Sequence, residues 1–394
     1  MSAETVRQFA ALEAQAARIM AVFTRAGYEA VAPAVIQPAG VFLDAIGEAL
    51  RARTYVFTDQ DGAELCLRPD LTVPTCRLHL ARGAAGVTPA KYCYNGPAFR
   101  YQTAGANAAH PREFRQAGIE SFGGSDPIQA EAETLALMVE ALAAAGLKRA
   151  QLHLKFGDLE LVRALLAALD MPAHWRARLQ AKFWRPAAFR AELKRLTENP
   201  AGHARTLPPA LLAALAPTAP REAEAVLAAH LEAAGLEPFG ARSVAEVAEQ
   251  ARAMMDDAYT VPLPAATAGL IESYIAIEVP CRGASAQIAA LAAHAGIDLK
   301  APLARFDARL DRLEALGLDL NHATFSGDFG RSLAYYTGFV FEITAPGLPD
   351  LSPVAGGGRY DGLMRLAGSP VDVPAVGAAI HTERLLAAIA GGVA

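Results

Sequence analysis

The strongest constraint on the fold lies between Tyr92 and Gly123, which reads YCYNGPAFRYQTAGANAAHPREFRQAGIESFG. Tyr92 to Tyr94 and Ala98 to Gln102 have strand composition interrupted at Gly96-Pro97. An Ala/Gly/Asn-rich loop follows, and Phe114 to Phe122 resumes with apolar residues between polar ones. Two antiparallel strands of this kind carry charge inward. Gln116 and Glu120 are an even number of residues apart and so project from one face, and Arg100 is flanked by Phe99 and Tyr101. Such charge on a half-buried sheet has two readings, a partly exposed structural pair or one wall of a site for a polar ligand.

At 394 residues the chain exceeds the size at which a single core stops growing, so a large domain with a smaller domain or insertion is expected. The residues are 53% apolar and only 20% charged, yet no uninterrupted apolar run approaches the ~18 residues of a membrane span. Glu4, Arg7, Glu13 and Arg18 make the N-terminus an amphipathic helix rather than a signal peptide, which places the protein in the cytoplasm. Cys66, Cys76, Cys93 and Cys281 have neither C-x-x-C spacing nor a histidine at metal spacing, so reduced thiols are expected, without a zinc site or a disulfide framework. A formal charge of −5 gives no global attraction to nucleic acid.

In chain order, Phe9, Leu12, Ala16, Ile19 and Phe23 predict a helix from Thr5 to Ala26 that stops at Gly27. Tyr28 to Phe42, with Pro33 and Pro38, reads as extended edge or interface chain. Tyr55 to Thr58 and Glu64 to Arg68 flank a hairpin turn at Asp61-Gly62. Asp126 caps a helix that Pro127 opens and Gly146 ends, and Gln151 to Lys155 alternates like a strand. This order predicts an α+β fold, an antiparallel sheet with helices packed on it.

From 170 to 264 the texture changes to short alanine-rich helices broken by prolines. This predicts a helical insertion into a discontinuous core of residues 1–169 and 265–394. Within it, Trp175 to Arg205 holds eight Arg or Lys against two Glu, interleaved with Trp175, Phe183, Trp184 and Phe189. That pattern suits RNA or an acidic partner, or equally the solvated face of amphipathic helices whose aromatics are core. Strand signals return at Ile275 to Val279, before helices at Ala286 to Ala295 and Leu303 to Leu316. Gly356-Gly357-Gly358 means either a flexible turn or backbone passing close to a strand or ligand. Val376 to Leu385 reads as a strand entering a helix.

These stretches resemble the catalytic core of histidyl-tRNA synthetase and its class II relatives. Pro33 stands where the dimer-forming first motif has its proline. LRPDLT at Leu67 to Thr72 is similar to LRPEGT, while GPAFRYQ at Gly96 to Gln102 and REFRQAGIE at Arg112 to Glu120 resemble the second motif and the strand after it. RSLAYYTGFVFE from Arg331 is similar to the histidine-specific RGLDYYTGTVFE, and GGGRYDGL at Gly356 to Leu363 matches outright. The resemblance implies a histidine pocket. Asp70, Thr72 and Gln116 would hold the amino-acid backbone end, and Glu120 and Tyr335, with Tyr336 nearby, would read the imidazole. Arg100 and Arg331 match arginines that meet the ATP phosphate and the histidine carboxylate.

The departures fall on the ATP side. Gln102 replaces a glutamate that helps bind adenine, and Ser332 and Ala334 replace Gly and Asp. His381-Thr382-Glu383-Arg384 stands where the third motif reads G-L-E-R, so a histidine side chain is expected in nucleotide space. Losing that close approach is expected to cost a factor of at least ~1000 in rate. Only ten residues follow Arg384, where a synthetase continues into an anticodon-reading domain, so no tRNA binding is expected.

The chain therefore resembles the synthetase paralogues that serve as regulatory subunits of ATP phosphoribosyltransferase. The resemblance implies a non-catalytic protein without a cofactor, with L-histidine as effector. It implies as partner the short-form catalytic subunit, with a homodimer of this chain inside a hetero-oligomer. A truncated histidine-activating ligase is the alternative.

Overall fold

The computed structural model describes residues 5–45, 52–83, 88–102, 105–106, 111–202, 208–215, 222–235, 244–258, 260–331, 335–348 and 352–391. The chain divides into two compact units, Met1–Ala168 with Tyr274–Ala394, and Leu169–Ser273.

The described strands of the first unit are β1 (Glu29–Ala30), β2 (Ile36–Pro38), β3 (Tyr55–Thr58), β4 (Glu64–Leu67), β5 (Ala90–Phe99), β6 (Glu113–Phe122), β7 (His153–Asp158), β8 (Glu278–Pro280), β9 (Ala323–Ser326), β10 (Phe339–Thr344), β11 (Ala355–Arg359) and β12 (Ala375–His381). Nine of them form one sheet in the order β1-β5-β6-β12-β11-β10-β7-β9-β8, and β2-β4-β3 form a small second sheet. The run from β5 to β7 is antiparallel throughout. The expectation of an antiparallel sheet is modified at its flanks, where β1 pairs with β5 and β7 with β9 in parallel, so the whole sheet is mixed.

Local signals account for most boundaries. Thr5 and Gln8 form a capping box at the start of the helix Val6–Arg25, and its buried stripe is Leu12, Ala16, Ile19, Val22 and Phe23. The Asp126 side chain caps the helix Pro127–Ala145, which ends on Gly146 in a left-handed conformation, φ 115°. Gly62, at φ 88°, turns the hairpin between β3 and β4.

Three expectations are corrected. Gly96-Pro97 does not interrupt β5, which runs on to Phe99, because the β6 partners Gln116 and Arg115 keep pairing across that pair. Phe42 is buried in a helix, Ala39–Ala45, rather than in extended chain. Ile275 ends the helix Ala265–Ile275, and β8 begins only at Glu278.

In the second unit the helices Ala173–Lys182, Pro186–Glu198, Pro209–Leu215, Ala223–Ala233 and Val244–Ala258 are built on buried apolar residues such as Leu193, Leu196, Leu211, Leu227 and Met255. Trp175, Phe183 and Phe189 belong to this interior. Three of the basic residues beside them, Arg178, Lys182 and Arg195, pair with the buried carboxylates Asp257 and Glu192. The aromatics of the interleaved pattern are thus largely core, and three of its eight basic residues are ion-paired there. Arg185, stacked over Trp184 at 4.5 Å, remains at the surface, and Arg205 lies outside the described residues.

Candidate ligand site on the glycine floor of the sheet

The register of the sheet sets the site. Glu120 in β6 lies opposite Gly377 in β12, and Gln116 lies opposite His381. Residues directly opposite in an antiparallel pair share a face, so Gln116, Glu120, Gly377 and His381 look the same way. Glycines make room for them. A Cβ on Gly377 would sit 1.7 Å from a Glu120 carboxylate oxygen, one on Gly118 2.6 Å from the Tyr94 hydroxyl, and one on Gly356 1.5 Å from an Arg331 guanidinium nitrogen. The glycine-rich strands are therefore a floor on which charged and aromatic side chains lie flat. Of the two readings of Gly356-Gly357-Gly358, close approach is the one realised.

Glu120 is fully buried, and among the described residues no cation is bonded to it. Tyr94 donates to one carboxylate oxygen at 2.8 Å, Tyr360 donates to the other, and the Thr72 hydroxyl bonds to the same group. Burial pushes its carboxyl up to about 7, against the opposing pull of the Tyr360, Thr72 and Tyr94 hydroxyls. Tyr360 is in edge contact with Tyr335 at 5.6 Å and with Tyr336 at 6.3 Å, and those two rings lie 4.9 Å apart. A proton-poised acid thus stands among tyrosine edges and hydroxyls.

Beside this cage lie polar atoms without hydrogen-bond partners among the described residues. Asp70 is buried where β4 leads into the helix Thr72–Ala81. One of its oxygens accepts from the Val73 N–H at 3.2 Å, while Oδ2 has no partner. Burial raises its carboxyl, with Arg100 pulling the other way. Gln116 Oε1 is likewise buried and unpartnered. Arg331 donates through one terminal nitrogen to the Phe341 carbonyl at 3.1 Å, and its buried Nε has no partner. Two orphan acceptors and one orphan donor are what a zwitterion would satisfy, and leaving each unmet costs about 1–3 kcal/mol.

The neighbouring region is filled. The His381 ring lies tilted against Phe114 at 5.2 Å, and the Arg100 guanidinium sits 4.9 Å from the same ring. Burial, and then Arg384, Arg100 and Arg331, hold His381 well below the usual histidine range, so it is neutral. The Gln102 side chain is occupied, donating to the Pro111 carbonyl at 2.9 Å and accepting from Arg53 at 2.6 Å. Arg100 itself stands one residue past the end of β5, its Nε donating to the Pro69 carbonyl at 3.0 Å.

The structure therefore brings Asp70, Thr72, Arg100, Gln116, Glu120, Arg331, Tyr335 and Tyr336 to one region of the sheet. Ser332 and Ala334 lie outside the described residues. Sequence reasoning missed Tyr94 and Tyr360, although both occupy quoted motifs, because only the strand register shows that their hydroxyls meet Glu120. It also missed Arg68, a buried residue bonded to the Pro33 and Pro97 carbonyls, which ties the first motif to β5.

Residues 5–263 and 279–385 match the family model described as Histidyl-tRNA synthetase. The ATP phosphoribosyltransferase regulatory subunit of Mesorhizobium japonicum is 37% identical over 373 residues, 94% of this chain and 96% of that protein. The protein of that name from Brucella anthropi is 36% identical over 351 residues, 89% and 90% of the two chains. Among solved structures, an ATP phosphoribosyltransferase regulatory subunit/histidyl-tRNA synthetase from Bacillus halodurans covers 99% of this chain and 81% of its own, with a TM-score of 0.68 at 20% identity. A histidine–tRNA ligase subunit from Alicyclobacillus acidocaldarius covers 100% and 97%, with a TM-score of 0.60 at 25% identity. With its class II synthetase fold and this breadth of similarity, the chain belongs to the histidyl-tRNA synthetase family, within the branch of the ATP phosphoribosyltransferase regulatory subunits.

Proposed function

We propose that this chain is the non-catalytic regulatory subunit of ATP phosphoribosyltransferase in L-histidine biosynthesis. It works in the cytoplasm as a homodimer inside a hetero-oligomer, raises the activity of the short-form catalytic subunit and conveys feedback by histidine. One observation carries this reading, the asymmetry of the site. Its amino-acid side keeps unpartnered acceptors on Asp70 and Gln116 and an unpartnered donor on Arg331, while its other side is occupied by His381.

Free histidine fits that pattern. Its ammonium donates to Asp70 Oδ2 and Gln116 Oε1, its carboxylate accepts from Arg331 with Arg100 close by, and its imidazole meets Glu120 and the Tyr335 hydroxyl. With His381 against Phe114, no triphosphate reaches the approach that activation needs, so the pocket binds without reacting. Regulation follows if histidine binds two quaternary states unequally, since a ligand with equal affinity for both shifts nothing. A coupling of ~1–3 kcal/mol suffices for feedback.

The test is co-purification with a short-form phosphoribosyltransferase subunit, followed by assays with and without histidine. Activation by this chain and inhibition on adding histidine are expected. Robust histidine-dependent pyrophosphate exchange by the isolated chain would sink the proposal in favour of a histidine-activating ligase, and failure to activate would remove the partner.

A further inference from the structure

Tyr360 is the hub of the cage, touching Glu120, Tyr335 and Tyr336 at once, and its own placement is set from behind by charge. Arg359, the residue before it, donates through Nε to Glu131 of the helix Pro127–Ala145 and through a terminal nitrogen to both Asp361 oxygens, at 2.9 and 3.0 Å. Asp361, the residue after it, accepts from the Ala375 N–H at 2.8 Å, and its own N–H donates to the Thr337 hydroxyl at 3.1 Å. The Thr337 N–H donates back to the Arg359 carbonyl at 2.8 Å. A Cβ on Gly338 would lie 2.8 Å from the Arg359 side chain, so that glycine admits the guanidinium stem. Tyr335-Tyr336-Thr337-Gly338 and Arg359-Tyr360-Asp361 are thus clasped at several points around one guanidinium.

The clasp is anchored inward. Glu131 is buried, with Arg359 on one oxygen and Arg309 on the other, and Arg309 continues to the buried Asp158 at 2.9 Å. Glu131 and Arg309 touch none of the groups assigned to the ligand. A buried ion chain seldom adds net stability over a well-packed apolar one, and its best-attested use is to specify one arrangement. Here that arrangement is the height and tilt of Tyr335, Tyr336 and Tyr360 above the glycine floor.

We propose that Arg359, held by Glu131 and Asp361, is a positioning residue for the amino-acid pocket. It acts through Tyr360 and Thr337 to set the hydroxyl donated to Glu120 and the tyrosine pair beside it. The proposal rests on reading the pocket as a histidine site, and the test separates the two.

Histidine is titrated calorimetrically into the unmodified full-length chain, Arg359→Gln, Arg359→Lys, Tyr360→Phe and the double variant Arg359→Gln/Tyr360→Phe, each with its melting temperature. If the unmodified chain does not bind histidine, the pocket reading fails and the positioning role falls with it. If it binds, Arg359→Gln is expected to weaken histidine by about 10-fold, with Arg359→Lys intermediate because an ammonium keeps the charge but lacks the planar guanidinium fork that spans Glu131 and Asp361. The double variant should lose no more than about 2-fold beyond Arg359→Gln alone, since residues acting through one hydroxyl are not additive. The pH midpoint of the change in histidine affinity that accompanies Glu120 ionisation should also rise in Arg359→Gln, as it should in Tyr360→Phe, because the Tyr360 hydroxyl favours the Glu120 carboxylate.

A folded Arg359→Gln that binds histidine within about 2-fold of the unmodified chain, or a double variant showing the full product of the single losses, would overturn the proposal. Should Arg359→Gln fail to fold, Asp361→Asn opens the clasp from its partly exposed side. The same loss and the same pH shift are then expected, and unchanged affinity and pH profile overturn the proposal.

Discussion

The helical unit and the ligand site of the sheet unit treat buried carboxylates in opposite ways, although elsewhere in the sheet unit Glu131 and Asp158 are paired with Arg359 and Arg309. In the helical unit Asp257 is fully buried yet saturated. It accepts from Arg178 at 2.7 and 2.8 Å, from His174 at 2.9 Å and from the Trp175 indole, and Arg195 approaches to 3.1 Å. Burial alone would raise its carboxyl, but the hydrogen bonds from Arg178, Trp175 and His174 outweigh it and hold the group below its ordinary range. Glu192 behaves alike, burial being overcome by Arg195 and Lys182. In the sheet unit Glu120 and Asp70 are as deeply buried, with hydroxyls and a backbone N–H in place of bonded cations, and burial wins. Burial of a charged residue thus does not by itself mark a site. What separates scaffold from site is whether the partners needed by the charge come from the chain or are left to a ligand.

The hardest test of the contrast is Asp257→Ala. Removing the shared anion leaves the Trp175 indole and His174 without their acceptor and Arg178 and Arg195 with Glu192 as their remaining anion. A loss of about 3–5 kcal/mol is expected, read by denaturant unfolding with the secondary structure of the helical unit followed. An effect under ~1 kcal/mol would mean that the cluster is surface decoration.

Acidity gives the next largest effect, with opposite signs in the two units. The Glu120 carboxyl is raised from 4.5 to about 7, so across that window the folded state keeps a proton that the unfolded state has released. Stability from this group is fully present below the unfolded value and lost as pH rises to 7, by about 3 kcal/mol, with Asp70 and Asp158 adding in the same direction. Asp257 and Glu192 are lowered, so their contribution is present above the ordinary carboxylate range and lost as pH falls through the depressed value. Hydrogen exchange at pH 5 and pH 7.5 should show β6 and β12 better protected at the lower pH. A uniform response of both units would erase the distinction.

Glu120→Gln sharpens the comparison from the ligand side. Histidine affinity should fall about 10- to 100-fold, while thermal stability at pH 7.5 holds or rises because a desolvated charge has gone. Activation of the catalytic partner should persist, and its complete loss in a folded protein would contradict a separable effector pocket. Tyr335→Phe is the mildest change, with about 5-fold weaker histidine binding by calorimetry and unaltered activation.

Much of the fold was legible along the chain. The Thr5 and Asp126 caps and the Gly62 turn are local signals that tertiary packing did not override, whereas β6 is buried on both faces from Gln116 to Phe122. Legibility failed where a partner strand decided the outcome. Gly96-Pro97 reads as a break until β6 pairs straight across it, and the basic and aromatic run from Trp175 fits both a binding face and amphipathic helices with core aromatics until Asp257 and Glu192 arrive from other turns and another helix. Residue types at the site were visible for the same reason that their roles were not. Spacing within a strand reports which face a side chain takes, and says nothing of the strand beside it.

By itself the sequence determined the capped helices Val6–Arg25 and Pro127–Ala145, the hairpin turn at Gly62, the glycine-rich segments and the family to which they belong. Each of these rests on interactions between residues close along the chain or on motifs read in order. Only the tertiary structure decided that Gly118, Gly356 and Gly377 form one floor, that Tyr94 from β5 and Tyr360 from beyond β11 close on Glu120, and that Asp70, Gln116 and Arg331 keep atoms without partners. Those facts depend on strand register and on burial, which arise when segments far apart in sequence pair and exclude water. The same exclusion moves the Glu120 carboxyl up to about 7.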